Sequence, residues 1–378
     1  MARRWVIAGG GTGGHVTPAL ALAEALTQRG EEVLIIGSAR GLESQLVPAA
    51  GFNLEVLRSE QFMGHHVWGR IRSVLSILRS ALSAIRVIRK FDADAVVSVG
   101  GYAAMPSALA ACISRRPLFL VEPNAIPGRV NRITAPIARF VFVGFEATRS
   151  AFPKNVDSLC LGVPLREALC KAFATDPKHG LPSNPLRVLV FGGSQGASQL
   201  NEIVPEALAR LAKNSVEVFH QTGETDCKSV SDRYAELGIS AEVVAFEKDM
   251  PKRYRWADLA ICRAGALTVA ELALAGLPAL LVPYPFAADD HQKANARALE
   301  AAGAARSMNA QPLDQNALAQ AVAEFVTTPG RLALMHQHAL RLARPDAAGD
   351  IVDHCIALLD GAAPSPSRTG EAAICNND

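Results

Sequence analysis

The chain has 378 residues, 49% of them hydrophobic and 20% charged, and its 38 Lys+Arg against 36 Asp+Glu leave a formal net charge of +2. At about 150 residues per domain this is material for two domains, each able to bury a core, and the composition excludes a disordered chain. The near balance of charge excludes a bulk polyanion binder, so an electrostatic partner has to be met by a local patch.

In chain order, Arg3-Arg4 precedes only a short apolar run, too brief and too broken by glycine for an export signal. Residues 5–8 read as a buried strand that runs into Gly9-Gly10-Gly11-Thr12-Gly13-Gly14-His15 and then an amphipathic helix over 18–28. Gly9-x-Gly11-x-x-Gly14 is spelled like a dinucleotide turn, whose free N–H groups meet a diphosphate at a helix start. The strand at 32–36 ends in Gly37-Ser38-Ala39, without the carboxylate that holds a nicotinamide ribose, which disfavours a dehydrogenase. His15, at the mouth of the turn, is open to a structural or a catalytic reading.

Residues 61–91 contain no Asp or Glu but carry Arg70, Arg72, Arg79, Arg86, Arg89 and Lys90. Ile71, Val74, Leu75, Leu78, Leu82, Ile85 and Ile88 recur there at helical spacing, and Arg72, Arg79 and Arg86 share one face. Such a helix either lies on anionic lipid or covers the sheet with its arginines in water. His65-His66-Val67-Trp68 just before it tips the reading toward the membrane, with Trp68, Arg72, Leu75, Arg79, Leu82 and Arg86 as docking residues. Asp92-x-Asp94 is spelled like a metal-holding pair, yet it precedes the strand at 95–99, at the edge opposite the expected ligand site. It reads as a solvated turn, and no metal site is called.

Further strands are predicted at 118–121, 140–143, 187–191, 216–221, 259–262 and 279–282, with amphipathic stretches at 200–213 and 267–275. This alternation predicts an α/β protein with doubly wound parallel sheets. Gly192-Gly193-Ser194-Gln195-Gly196-Ala197 repeats the strand, glycine turn and helix of the first half, so two Rossmann-like domains facing across a cleft are expected, hinged near Gly162-Val163-Pro164. Residues 176–185 read as a surface stretch, and the tail beyond Gly361 has disorder composition. After the strand at 259–262 comes a helix start near Ala266, suited to a diphosphate, with Glu271 placed either for a ribose diol or to complement the helix dipole. Asp289-Asp290-His291-Gln292 forms a second polar loop at a carboxyl edge. The seven cysteines are scattered, with no CxxC pair, and read as buried reduced thiols of a cytoplasmic protein. No apolar run is long enough to span a membrane, and no nucleic-acid motif appears.

Taken together, 10–15, 192–197, Cys262-Arg263-Ala264-Gly265-Ala266-Leu267-Thr268 and His291-Gln292-Lys293-Ala294-Asn295-Ala296 resemble the MurG family of glycosyltransferases, over about residues 5–359. That family transfers N-acetylglucosamine (GlcNAc) from its UDP sugar to lipid I, giving lipid II for peptidoglycan. The resemblance implies a GT-B fold: residues 1–162 as the acceptor and membrane side, 163–340 as the UDP-GlcNAc side, 341–360 as a helix returning to the first domain, and 361–378 as a disordered tail. By motif match, Ser194 and Ala266, Leu267, Thr268, Val269, Ala270 and Glu271 would hold the nucleotide. Arg166 would touch the nucleotide sugar, Glu247 would hold uracil largely by backbone, and Gln292 would meet the sugar hydroxyls. Thr12, Gly13, Gly14 and Asn124 would close over the donor. Pro123, Val163 and Ala264 depart from the family's usual Gln, Asn and Ser.

An α-linked donor and a β-1,4 product imply inversion, with His15 as candidate base because imidazole suits proton transfer near neutrality. No cofactor or metal is implied. Expected partners are UDP-GlcNAc, lipid I and an anionic membrane surface, with other cell-wall or division proteins allowed, at the cytoplasmic face of the inner membrane. Alternatives are a related glycosyltransferase with another lipid or a soluble acceptor, a UDP-sugar epimerase, and a non-catalytic scaffold.

Overall fold

The computed structural model describes residues 2–38, 41–57, 67–101, 104–175, 182–193 and 196–362, without the side chains of 67–77 and 175. The chain divides into two compact units, Met1–Glu167 with the segment from Arg344 onward, and Ala168–Ala343. The expected divisions at 162/163 and 340/341 fall a few residues earlier. Two contacts keep the crossing residues with the first unit. Glu24 holds Arg166 and the Glu167 amide, and Gly162, at φ +94°, lies so close to Arg344 that an added Cβ would sit 2.7 Å from its Cβ.

The first unit has strands β1 (Arg4–Gly9), β2 (Glu32–Ser38), β3 (Asn53–Leu57), β4 (Ala95–Gly100), β5 (Leu118–Glu122), β6 (Phe140–Val143) and β7 (Ser158–Cys160). Its helices are α1 (Gly13–Gln28), α2 (Glu43–Ala49), α3 (Val67–Lys90), α4 (Ala104–Ile113) and α5 (Arg129–Thr134). The sheet runs β3-β2-β1-β4-β5-β6-β7, all parallel. Period-two alternation divides its side chains between two cores. Trp5 and Ile7 face α1 on one side. Val6, Leu34 and Val96 pack with Ala84, Ile85 and Ile88 of α3 and Ala108 of α4 on the other.

Helix α6 (Glu167–Thr175) opens the second unit. Its strands are β8 (Leu186–Phe191), β9 (Val216–Gln221), β10 (Ala241–Val244), β11 (Leu259–Cys262), β12 (Ala279–Leu281) and β13 (Ala305–Ser307), in the parallel order β10-β9-β8-β11-β12-β13. Helices α7 (Ser198–Leu208), α8 (Cys227–Glu236), α9 (Met250–Trp256), α10 (Ala266–Ala275), α11 (His291–Ala301), α12 (Gln315–Thr327) and α13 (Pro329–Leu342) cover it. Val188, Val190, Leu259 and Ile261 pack with Leu200 and Val204 of α7 and Leu318 and Val322 of α12. The last helix, α14 (Ala347–Leu359), packs Ile351, Val352 and Cys355 against the α1 side of the first sheet.

In each sheet the order in which strands are added reverses beside its first strand, between β1 and β4 and between β8 and β11, and open parallel sheets bind ligands at the carboxyl ends of such switch points. Both glycine turns leave the sheet there. All nine strands read from the sequence are interior, while β3, β7, β10 and β13, which form the sheet edges, were not read. The cysteines depart from the expectation of uniform burial: Cys262 and Cys355 are buried, Cys112 is exposed, and Cys160, Cys170 and Cys227 are half-buried, all as free thiols. Asp92 and Asp94, read as a solvated turn, serve arginines: Asp94 accepts the Arg4 amide at 2.8 Å and Asp92 pairs with Arg116 at 3.1 Å. The expected disordered tail at 361–378 lies outside the described residues beyond Ala362.

Candidate functional site

In the second unit the switch point is built from two turns. Strand β8 leads into Gly192 and Gly193, and the Gly193 carbonyl accepts Nε2 of the Gln221 side chain at 2.9 Å. Ser194 lies outside the described residues. After β11, Arg263-Ala264-Gly265 carries the chain into α10. Gly265 takes an extended N-cap conformation and no side chain caps the helix, which leaves its first-turn amides, at Ala266, Leu267 and Thr268, directed outward at the positive end of the dipole. That is the geometry of an anion site. Val269 closes the first turn through its amide to the Gly265 carbonyl and is buried, with Ala270 following.

Helix α11 fixes this turn from one face. Gln292 Oε1 accepts the Tyr284 amide at 2.9 Å and the Ala264 amide at 3.2 Å, and Asn295 donates to the Ala264 carbonyl at 3.0 Å. Two N–H partners settle the orientation of the Gln292 amide, so its NH2 end is the one left to offer a ligand. Ala264 is fully buried, which accounts for a small apolar side chain there. The sequence assigned no role to Arg263. It is buried, donates to Gln199 and to the carbonyls of Val282 and Pro283, and stacks over Tyr284 at 5.5 Å. Desolvation lowers its pKa.

Glu271 stands in the second turn of α10, beyond reach of the dipole-complementing role. Its Oε2 accepts the buried Tyr254 hydroxyl at 2.6 Å. Burial raises its pKa to about 7, against the opposing effect of that bond. The result is a half-buried residue whose carboxyl ionises near neutrality. Glu247 is committed elsewhere. Burial pushes its pKa up, but Arg253 at 2.6 Å and the Asp249 amide at 2.8 Å outweigh this and hold it below its ordinary value. Arg253 in turn covers the Phe219 ring at 3.6 Å. The Glu247 side chain thus shapes its loop.

In the first unit, Thr12 is the N-cap of α1 but does not cap it. Its Oγ1 lies 3.2 Å from His15 Nδ1, orienting the imidazole. The opposite edge of the ring rests on Gly100, where an added Cβ would lie 3.1 Å from Cδ2 and 3.2 Å from Nε2. Gly13 and Gly14 form the first turn of α1. Beneath the loop sits Glu43, fully buried, which sequence reading missed. It accepts the Gly11 amide at 2.8 Å and the Ser38 amide and hydroxyl at 2.7 and 2.6 Å. Desolvation raises its pKa, and these bonds outweigh it and hold the carboxyl below its ordinary value. Gly11's amide is thereby already occupied by a carboxylate, where a dinucleotide turn would offer it to a phosphate.

Asn124, at the carboxyl end of β5, donates its amide N–H and side chain to Glu122 at 3.0 and 3.3 Å. Glu122 also takes the Gly128 amide at 2.8 Å and Asn131 at 2.9 Å, so it organises the whole 122–131 loop. Burial raises its pKa in spite of these bonds. Arg166 is not gathered with Thr12–His15. It pairs with Glu24 at 2.6 Å, and from Gly13 to Glu24 is about 16 Å of helix at 1.5 Å per residue.

Helix α3 covers the sheet with one face and leaves another exposed. Ala81, Ala84, Ile85 and Ile88 are buried on the sheet, while Leu78 and Leu82 are 52% and 56% exposed beside exposed Arg79 and Arg86. Trp68, Arg72 and Leu75 lie on the same helix, but their side chains are outside the described residues. Helix α4 packs against both α3 and α5, and Ile113, Ile133 and Ile137 are exposed. Among the described residues no helix is long and apolar enough to cross a membrane.

Comparison with known proteins bears on this geometry. Residues 5–143 match the glycosyltransferase family 28 N-terminal domain and 187–351 the family 28 C-terminal domain. The chain is 44% identical over 356 residues to the UDP-N-acetylglucosamine–N-acetylmuramyl-(pentapeptide) pyrophosphoryl-undecaprenol N-acetylglucosamine transferase of Methylococcus capsulatus, covering 94% of this chain and 99% of that one. It is 44% identical over 362 residues to the transferase of the same name from Stutzerimonas stutzeri, covering 96% and 100%. The crystal structure of Acinetobacter baumannii MurG superposes with a TM-score of 0.79 at 33% identity, over 94% of this chain and 99% of that one. With two Rossmann-like units and this likeness along nearly its whole length, the chain belongs to the MurG family of GT-B glycosyltransferases.

Proposed function

We infer that this chain transfers GlcNAc from UDP-GlcNAc to the MurNAc C4 hydroxyl of lipid I, giving lipid II. The observation that carries the donor half is the uncapped start of α10, with Gln292 fixed above it and the ionisable Glu271 one turn further in. The first-turn amides are suited to the diphosphate, Glu271 to the ribose diol, and the Gln292 NH2 to a sugar hydroxyl.

Inversion is a single displacement in which the acceptor hydroxyl attacks the anomeric carbon and UDP departs. Charge grows on the diphosphate as the sugar gains oxocarbenium character, and preorganised amides stabilise that charge without reorganising. His15, oriented through Nδ1 by Thr12, takes the proton of the attacking hydroxyl. His15→Ala should lower turnover with saturating acceptor by about a hundredfold or more, and near-normal turnover would remove His15 from this role.

Lipid I is anchored in the bilayer, so the enzyme has to meet it there. Exposed Leu78 and Leu82 flanked by Arg79 and Arg86 on α3 suit an anionic lipid surface at the cytoplasmic face of the membrane. The direct test is UDP-GlcNAc with a lipid I analogue: disaccharide product is expected, whereas a changed sugar with no acceptor consumed would mean an epimerase.

A further inference from the structure

We propose that Tyr254 is a positioning residue for the donor, holding the Glu271 carboxylate so that its second oxygen meets the ribose; this rests on the reading of Glu271 as the ribose contact. Tyr254 lies in α9, is 1% exposed, and donates its hydroxyl to Glu271 Oε2 at 2.6 Å. Among the described residues Oε1 accepts no hydrogen bond, and Glu271 as a residue is only half-buried. The Tyr254 ring packs 6.0 Å from that of Phe191, the last residue of β8. One side chain therefore joins the end of β8, where the glycine turn leaves, to the helix whose first-turn amides are uncapped. Tyr254, Phe191 and Glu271 all belong to the second unit, so the arrangement is complete within it.

A buried phenol needs a hydrogen-bond partner. The other fully buried tyrosine, Tyr234, finds one inside the core, on His220 at 3.0 Å. Tyr254 instead spends its hydroxyl on a carboxyl group beside the candidate site. A carboxylate has two oxygens to offer. With Oε2 taken by Tyr254, the group is fixed in rotation and Oε1 is left to lead the contact with a diol. The same bond favours the ionised form, against the effect of burial. Without it the ligand would have to order the glutamate side chain itself, which weakens binding.

Calorimetric titration of UDP and of 2′-deoxy-UDP into the full chain and into Y254F, E271Q and the Y254F/E271Q double variant tests this, with melting temperatures as the check on folding. Wild type is expected to prefer UDP. Y254F should bind UDP about tenfold more weakly and lose less affinity for 2′-deoxy-UDP, so that the preference shrinks. The effect of Y254F should vanish in the E271Q background. A loosening of α9 alone would instead weaken both nucleotides equally, in either background. In the wild-type chain labelled with carbon-13 at the tyrosine Cζ, the Tyr254 signal should shift more with UDP than with 2′-deoxy-UDP, a readout that needs no variant to fold. A wild-type preference in Y254F, an equal loss for both nucleotides, a loss that persists in E271Q, or equal Tyr254 shifts would each overturn the proposal while the reading of Glu271 stands. If E271Q itself keeps the wild-type preference, that reading fails and the proposal with it.

Discussion

Replacing Glu271 by Gln should make the protein more stable and the enzyme worse, with both effects depending on pH. The carboxyl has a pKa of about 7 in the folded chain because burial disfavours its charge, against about 4.3 for an unperturbed Glu. The sign follows from linkage. A group whose folded pKa is raised gives stability that is complete below the unfolded pKa and is lost as pH rises through the folded one. The difference of about 2.7 pH units corresponds to about 3.7 kcal/mol, an upper bound because the residue keeps partial exposure. E271Q carries no such penalty. Urea unfolding of both proteins should show E271Q gaining about 2 kcal/mol on wild type between pH 5 and pH 8. Donor affinity should move the other way. An ionised carboxylate accepts two ribose hydroxyls, so wild-type affinity for UDP-GlcNAc should rise through pH 7, and E271Q should bind weakly with no such rise. A stability gap that stays constant from pH 5 to pH 8, or wild-type donor affinity that is flat over that range, would refute the reasoning.

Other expectations follow from single contacts. Gly100→Ala places a methyl about 3 Å from the His15 ring at a backbone φ of +100°, so it should cost about 1–3 kcal/mol of stability and lower turnover; chemical unfolding with a transfer assay measures both. Glu43→Gln should destabilise most above pH 5, since a carboxyl held below its ordinary value gives stability present above the unfolded pKa and lost as pH falls through the folded one. Thermal melts of the two proteins should converge at acid pH. Charge reversal at Arg79 and Arg86, with Leu78 and Leu82 changed to Ser, should abolish flotation with anionic liposomes while UDP binding persists. Unchanged flotation would assign α3 to covering the sheet alone.

The interior of each sheet was readable because strands buried on both faces are continuous apolar runs. The edges were not. Asn53-Leu54-Glu55-Val56-Leu57, Ser158-Leu159-Cys160 and Ala305-Arg306-Ser307 are short and mixed in polarity, as exposed edges tend to be. The glycine turns and α10 were legible from local spelling, because a tight turn before a helix leaves few choices of residue. Glu43 and Glu24 were not. Glu43 reads as a helix-start acid until the fold brings Gly11 above it, and Glu24 meets Arg166 across 142 positions of chain. Basic periodicity marked α3 as amphipathic, but which leucines face water depends on where the sheet ends. That is a tertiary fact.

The central claim is that the donor's diphosphate is gripped by the uncapped amides at the start of α10. Soaking crystals with UDP-GlcNAc tests it most directly. Phosphate oxygens within hydrogen-bond reach of the Ala266–Thr268 amides, with the ribose on Glu271, are expected. A nucleotide bound anywhere else would contradict it.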